Sequence, residues 1–439
     1  MTMALELTDY GRELTAALEK IPGLGWEIRQ VQERSHQLYL VFDEVESQRQ
    51  VAEEKYYLRL YLRHTANGQE VLGESGWTAN PEDDYHEALA QALERAPVVA
   101  NPLFELPGPP QEYHPLVLAD PRLRDQPEAV LWQVRHELTQ AVGPEAEVTL
   151  AGAELFTYHR QIAYWNHTGL HGSYEETALQ VQFALLAAGN GEEVECLGWR
   201  ETPFLGDLDL TAYVRRYSRY ARDQLQAELP PSGCFPVVLG EEALETIFDH
   251  LVAQASGEAR FQGWSRLTPG ASVIKDPRGD LLTLSSDPWL PGGLASRPFD
   301  QHGLALRPVT FIAANLFQQP LADKRYADYL GLPPTGPLTN LRVAPGRTPQ
   351  AELLTGSSVL ELLRFSTLEP NPVTGALSGE IRTGYLHHRG RRQPIKGGAL
   401  TAMLDEAFRD LTLSRETVLR GTYEGPAAIR FQAMEISGA

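Results

Sequence analysis

The sequence predicts an α+β protein, with helix and antiparallel-sheet layers in the N-terminal half and a mostly-β C-terminal domain. Two observations carry this. The first 232 residues run twice through the same patterns: a helix, strand-like runs joined by hairpin signals, then a second helix. Such segregation makes antiparallel layers, whereas regular β–α alternation makes a parallel sheet. From residue 233 the chain turns to short apolar runs punctuated by Gly and Pro, with few helical patterns, which is the signature of a strand-rich domain. Three units follow from this: α+β units at 1–100 and 116–232, and a mostly-β domain at 233–439. A chain of 439 residues is long enough for two or three separate cores.

In the first unit, residues 5–20 read as an amphipathic helix with Leu14, Leu18 and Ile21 on one side. Strand-like runs follow at 26–31, 37–44 and 55–64, and Asn67-Gly68 signals a hairpin before Val71 and Trp77. Residues 83–96 return to helix, which Pro97 closes. Residues 101–115 hold five prolines and read as an extended linker. The second unit repeats the order. It has a helix at 127–142 with Val130, Val134, Leu138 and Ala141 on one stripe, strands at 147–159 and 160–166, and a turn at Thr168-Gly169. A long strand at 174–188, the hairpin signal Asn190-Gly191, a strand at 193–200 and a helix at 209–228 complete it.

The C-terminal domain opens on a strand at 235–239, ending at Gly240. From Glu241 the pattern becomes helical, with Leu244, Ile247, Phe248, Leu251 and Val252 on one wide apolar stripe, and Ser256-Gly257 stops it. Short strands are expected at 274–275, 281–285, 304–311 and 341–344, and a helix at 324–331. Residues 351–354 and 359–363 read as a short helix, or as a strand and a helix. A hairpin spans 379–387 and 392–400, a helix 403–411, and a final strand 427–436.

Composition bounds the function. Hydrophobic content of 42% and charged content of 22% belong to an ordinary globular chain. No apolar run approaches the ~20 residues that span a bilayer. The early acids of the first segment do not form a signal peptide, so a cytoplasmic protein with no membrane association is expected. Two cysteines, Cys196 and Cys234, make no framework and read as buried, inert thiols. A formal charge of −20 disfavours direct nucleic-acid binding. The single basic cluster, at 387–392, lies between two strands and reads as a solvated hairpin tip.

Few residues offer chemistry. Asp249-His250 are the adjacent acid and histidine of the central helix, and His250 could in principle be a metal ligand or base. Zinc sites of the His-Glu type need two histidines on neighbouring turns, and no second one lies close, so His250 reads as structural. His159, His167 and His171 cluster in sequence, but the turn at Thr168-Gly169 separates the last from the others and no carboxylate or cysteine stands at ligand spacing. Ser256 and Ser378 lack the Gly-x-Ser-x-Gly setting of a nucleophile, and Gly189-Asn190-Gly191 lacks that of a phosphate loop.

One set of short motifs, in order, carries a resemblance. The string LASRPFDQHG at 294–303 is followed by Thr339-Asn340-Leu341 and Pro345-Gly346. Then come Thr374-Gly375, Ser378-Gly379, Gly384-Tyr385, Gly390 and Pro394-Ile395, with weaker matches at Asn166-His167-Thr168-Gly169 and Ser232-Gly233. In this order the chain resembles the TldD/PmbA family (peptidase U62, also called modulators of DNA gyrase) over nearly its whole length.

In the TldD branch of that family, HExxxH on the central helix binds a catalytic metal together with a distant cysteine. Aligned on the loop SGEARFQG, the motif falls here on Phe248, Asp249 and Ala253, and the cysteine region reads Gly421-Thr422-Tyr423-Glu424-Gly425. Phe248 and Ala253 offer no lone pair to a metal. The resemblance therefore implies a TldE/PmbA-type subunit with no catalytic residues and no metal of its own. Its partner would be a zinc-bearing TldD-like subunit, in a heterodimer that cleaves unfolded or leader-bearing peptides. Two alternatives are a divergent stand-alone hydrolase using His250 or the 159–171 histidines, and a homodimer that binds a peptide or partner without cleaving it. The stretches RFSTLEPNP and LHHRGRRQ depart from the PmbA pattern, which bears on the choice of substrate or partner.

Overall fold

The computed structural model describes residues 7–145, 147–189 and 191–439. The N-terminal half begins with α1 (Asp9–Glu19), capped by the Thr8 hydroxyl, which accepts from the Gly11 amide. Next come β1 (Leu24–Val41), β2 (Glu44–Ala66), β3 (Gln69–Ala79) and α2 (Tyr85–Arg95). After the linker and a short α3 (Pro121–Asp125) the order repeats as α4 (Pro127–Val142), β4 (Val148–Asn166), β5 (His171–Gly189), β6 (Glu192–Thr202) and α5 (Leu210–Gln224).

These strands form one antiparallel sheet in the order β3-β2-β1-β4-β5-β6. The two repeats meet at β1·β4, paired from Glu27↔Asn166 to Val41↔Gly152. Opposite chain directions across that seam relate the halves by an approximate twofold near Arg34↔His159. One face of the sheet is covered by helices. Trp26, Ile28 and Tyr56 pack with Leu14 and Leu18, while Leu155, Val181 and Leu185 pack with Val134, Leu138 and Val214.

The runs expected at 26–31 and 37–44 join in one strand that ends at Val41, before the turn into β2, and 147–159 and 160–166 likewise join in β4. Polar residues such as Gln32 and Arg34 do not break β1, because neighbours on both sides satisfy its backbone, and between the two helix-packed clusters Gln32 is only half-buried and Arg34 stays exposed. Asn67 and Gly68, both at positive φ, make the β2–β3 turn as signalled. Asn190 of the other signal lies outside the described residues. The linker is extended, and Phe104 and Leu106 pack on Tyr61 and Leu72.

The C-terminal half starts with β7 (Gly233–Gly240), α6 (Ala243–Thr246), α7 (Asp249–Gln254) and α8 (Gly257–Phe261). It continues through β8 (Leu284–Asp287), β9 (Val309–Ala313), β10 (Leu316–Phe317), α9 (Lys324–Leu330), β11 (Asn340–Val343) and α10 (Gln350–Leu353). Then come β12 (Ser358–Pro370), β13 (Ala376–His388), β14 (Arg391–Ile395), β15 (Ala399–Met403) and α11 (Leu404–Ala407). The chain ends with β16 (Thr412–Leu413), β17 (Thr417–Arg420), β18 (Tyr423–Pro426) and β19 (Ala428–Ser437). One sheet runs β12-β7-β19-β15-β13-β14, and because β12 also pairs with β13 it closes on itself. Closure removes exposed edges. A second sheet runs β10-β9-β8-β11-β18-β17, and both bury side chains in a common core around Leu239, Leu251, Phe311 and Phe431.

Several sequence expectations change here. The helix from Glu241 is broken around Ile247-Phe248, although its stripe still faces inward: Leu244, Ile247, Phe248 and Leu251 are buried and Val252 half-buried. Ser256 does not end the helical segment but starts α8, its hydroxyl accepting from the Ala259 amide. Residues 274–275 form no strand, and Ile274 is simply a buried side chain. Residues 359–363 belong to β12, residues 392–400 divide between β14 and β15, and 403–411 hold only α11 and one 3-10 turn. Cys196 is buried but Cys234 is exposed, which corrects the expectation of two buried thiols. No helix among the described residues is long and apolar enough to cross a membrane.

Candidate functional site

The central helical segment brings Phe248 into the core, where it is fully buried. Its ring stacks on Phe408 at 5.9 Å between centroids, with planes 1° apart, and on Tyr423 at 6.4 Å and 9°. Tyr423 opens β18 and donates its hydroxyl to the Pro426 carbonyl at 3.0 Å. A Cβ on Gly425 would come within 2.6 Å of that hydroxyl oxygen, so only glycine leaves the ring its place. Burial pushes the Tyr423 phenol well above its usual 10. Asp249, one residue on from Phe248, is exposed, and Ala253 is half-buried. A phenyl ring, a surface carboxylate and a methyl group do not fit a zinc ion.

His250 is buried and fully engaged. Its Nδ1 donates to the carbonyls of Asn371 and Pro372 at 3.2 and 3.1 Å. Its Nε2 lies 3.2 Å from Asp405 Oδ1 and 3.3 Å from the Arg266 guanidinium. Gly375, at φ +73°, lets the turn between β12 and β13 close over the imidazole, since a Cβ there would stand 3.0 Å from Nε2. His250 thus pins α7 to that turn.

The 159–171 histidines do not converge. His159 faces Glu175 across β4·β5 at 3.1 Å, His167 accepts from the Trp26 amide at 3.3 Å, and His171 lies 3.4 Å from the Gly169 carbonyl. Among the described residues no group of three or more His, Cys, Asp or Glu side chains is placed to hold a metal ion.

A buried polar centre has no counterpart among the candidate residues read from sequence. The LASRPFDQHG string inserts His302 against the N-terminal sheet, with Nδ1 3.0 Å from both oxygens of Glu27. Glu27 also accepts from the hydroxyls of Tyr61 at 2.7 Å and Tyr164 at 2.9 Å. Burial opposes both charges. The Glu27 partner nevertheless holds His302 above its usual 6.5, and His302 and Tyr61 hold Glu27 below its usual 4.5. Asp300 Oδ1 accepts from the amides of His302 and Leu304, while Oδ2 is buried without a partner among the described residues, and desolvation raises this carboxyl to about 6. The sequence signal was the string itself, taken only as a marker of resemblance.

Gly303 closes the loop at φ +78°, and a Cβ there would sit 2.4 Å from the Tyr164 ring. Gly303→Ala is expected to cost more than about 2 kcal/mol from backbone strain and overpacking, read as a lowered Tm.

This architecture defines a class. Residues 232–438, just under half of the chain, match the PmbA/TldA metallopeptidase C-terminal domain, so this part of the chain carries a domain of the TldD/PmbA family of metallopeptidase-like proteins. Among its relatives, metalloprotease PmbA of Escherichia coli O157:H7 is 24% identical over 292 residues, which span 65% of this chain and 64% of that protein. TldE of Thermococcus kodakarensis superposes with a TM-score of 0.82 at 16% identity, over 98% of this chain and all of that one (100%). A Thermotoga maritima protein described as a modulator of a DNA gyrase gives 0.81 at 15% identity, over 98% and 99% of the two chains. A Bacteroides thetaiotaomicron protein of similar description gives 0.81 at 17%, over 99% and 100%. At these identities the structural likeness establishes the fold.

Proposed function

We propose that this chain is the non-catalytic, TldE/PmbA-like subunit of a heterodimeric metalloprotease whose zinc resides in a TldD-like partner. The observation that supports this is the stack of Phe248, Phe408 and Tyr423, which fills the ground between the central helix and the 421–425 segment with hydrocarbon. A metal centre there needs several donor atoms, and this site supplies rings. The chain contributes walls and a dimer surface to peptide cleavage, either in general proteolysis or in the maturation of leader-bearing precursors. It works in the cytoplasm, where Cys196 and Cys234 remain thiols.

Elemental analysis of the purified chain, alone and after co-expression with a TldD-like subunit, tests the proposal. The expected result is no stoichiometric zinc in the lone chain, with zinc and peptide cleavage in the co-purified pair. Stoichiometric zinc or peptidase activity in the lone chain overturns it.

A further inference from the structure

We infer that the face of the N-terminal sheet away from its helices, beside the inserted 294–303 loop, carries a carboxylate-binding pocket built on Arg29 and Arg59, which takes the C-terminal carboxylate of a peptide. The cavity is about 320 Å³ and opens between β1, β2 and β3, with Gln301 of the inserted loop at its side. On β1·β2, Glu27 lies opposite Arg59 and Arg29 opposite Tyr57, and on β2·β3 Arg59 lies opposite Gly76. Strand alternation puts all five residues on the sheet face away from α1 and α2.

Charge decides what this pocket prefers. Glu27 is committed to three buried donors, His302, Tyr61 and Tyr164, so its negative charge is already compensated. Arg59 approaches it no closer than 3.9 Å. Arg29 has no acidic partner within ion-pair distance among the described residues, and its guanidinium stands 4.7 Å over the Tyr57 ring. Two guanidinium groups therefore keep N–H donors for a ligand, in a chain whose net charge is −20. A planar carboxylate matches the guanidinium fork, taking two parallel N–H···O bonds. Gly76 leaves the space beside Arg59 open, and the Tyr57 ring, 38% exposed, offers an apolar wall to the last side chain of the ligand. The carboxylate chemistry stands on these residues alone, whereas its source in a peptide rests on the proposed function.

The test is isothermal titration of the full chain with three probes: N-acetyl-Ala-Phe with a free carboxylate, the same peptide as its C-terminal amide, and N-acetyl-Ala-Glu-Ala amide, which carries only a side-chain carboxylate. The free acid is expected to bind at least about 10-fold more tightly than either amide, with Arg29→Gln and Arg59→Gln each weakening it about 10- to 100-fold, the worth of a charge-assisted bond. Arg29→Lys, which keeps the charge but not the fork, is expected to fall between, and thermal melts check that each variant folds. Equal binding of acid and amide, no heat from the free acid at millimolar concentration, or indifference to Arg29→Gln overturns the pocket. Preference for the Glu-containing amide overturns the assignment to a peptide terminus. Neither cleavage nor a partner enters this measurement, so it can fail while the zinc experiment succeeds, or the reverse.

Discussion

Phe248→Ala is expected to destabilise the protein by about 3–5 kcal/mol, the range for deleting a buried aromatic ring from a packed core. The ring is fully buried and has a parallel neighbour on Phe408 and another on Tyr423, so truncation leaves a void that fixed strands cannot collapse into. Urea unfolding measures this as a lower midpoint. Phe248→His, which restores the residue type of a metal ligand, is expected to destabilise as well, because the imidazole would enter an aromatic layer with nothing to bond. A cost below about 1 kcal/mol for the alanine variant would show that the stack is not a packing unit, and would remove the main support for a non-catalytic role.

His302→Ala has an expected cost of similar size, about 3–5 kcal/mol near pH 6, for a different reason. It leaves Glu27 buried with the two tyrosine hydroxyls and, at 3.9 Å, the more distant Arg59 guanidinium. The pH dependence has a definite sign. His302 is raised on folding, so its contribution is complete below the usual 6.5 and fades as pH climbs through the raised value. Glu27 is lowered on folding, so its contribution is complete above 4.5 and fades as pH falls through the lowered value. The stability gap between native protein and variant should therefore be widest between 4.5 and 6.5 and narrow on both sides. Asp300, raised to about 6, adds a stability loss as pH rises from 3.8, so the readout is the difference between the two proteins across a pH series. A gap that does not vary with pH would mean that the pair is held as neutral groups.

Much of this architecture was legible because local chemistry fixed it. Pro127 at the first turn and Gly143 after the last residue frame α4, and Asn67-Gly68 frames its hairpin. Strand continuity through Gln32–Arg34 was not legible, since a ladder's partners lie elsewhere in the chain. The apolar stripe identified Phe248 as a core residue but could not supply Phe408 or Tyr423 as its neighbours. Glu27 and His302 are separated by 275 positions, and a lone acid in a strand carries no mark of the histidine it will meet. The missed sites share one property: each is assembled from segments distant in sequence, where periodicity has no reach.

The seam between β1 and β4 also sets an order of events during synthesis. β1 leaves the ribosome early and can pair with β2 at once, but its other edge has no partner until β4, from Val148 onward, has been made. At about 5–20 residues per second that interval lasts roughly 5–20 s, during which a long strand edge is open to other chains. Nascent chains arrested before β4 should therefore aggregate or recruit holdase chaperones, and those arrested beyond β6 should not. An inner strand of the finished sheet, β1, is its most vulnerable element while the chain is still being made.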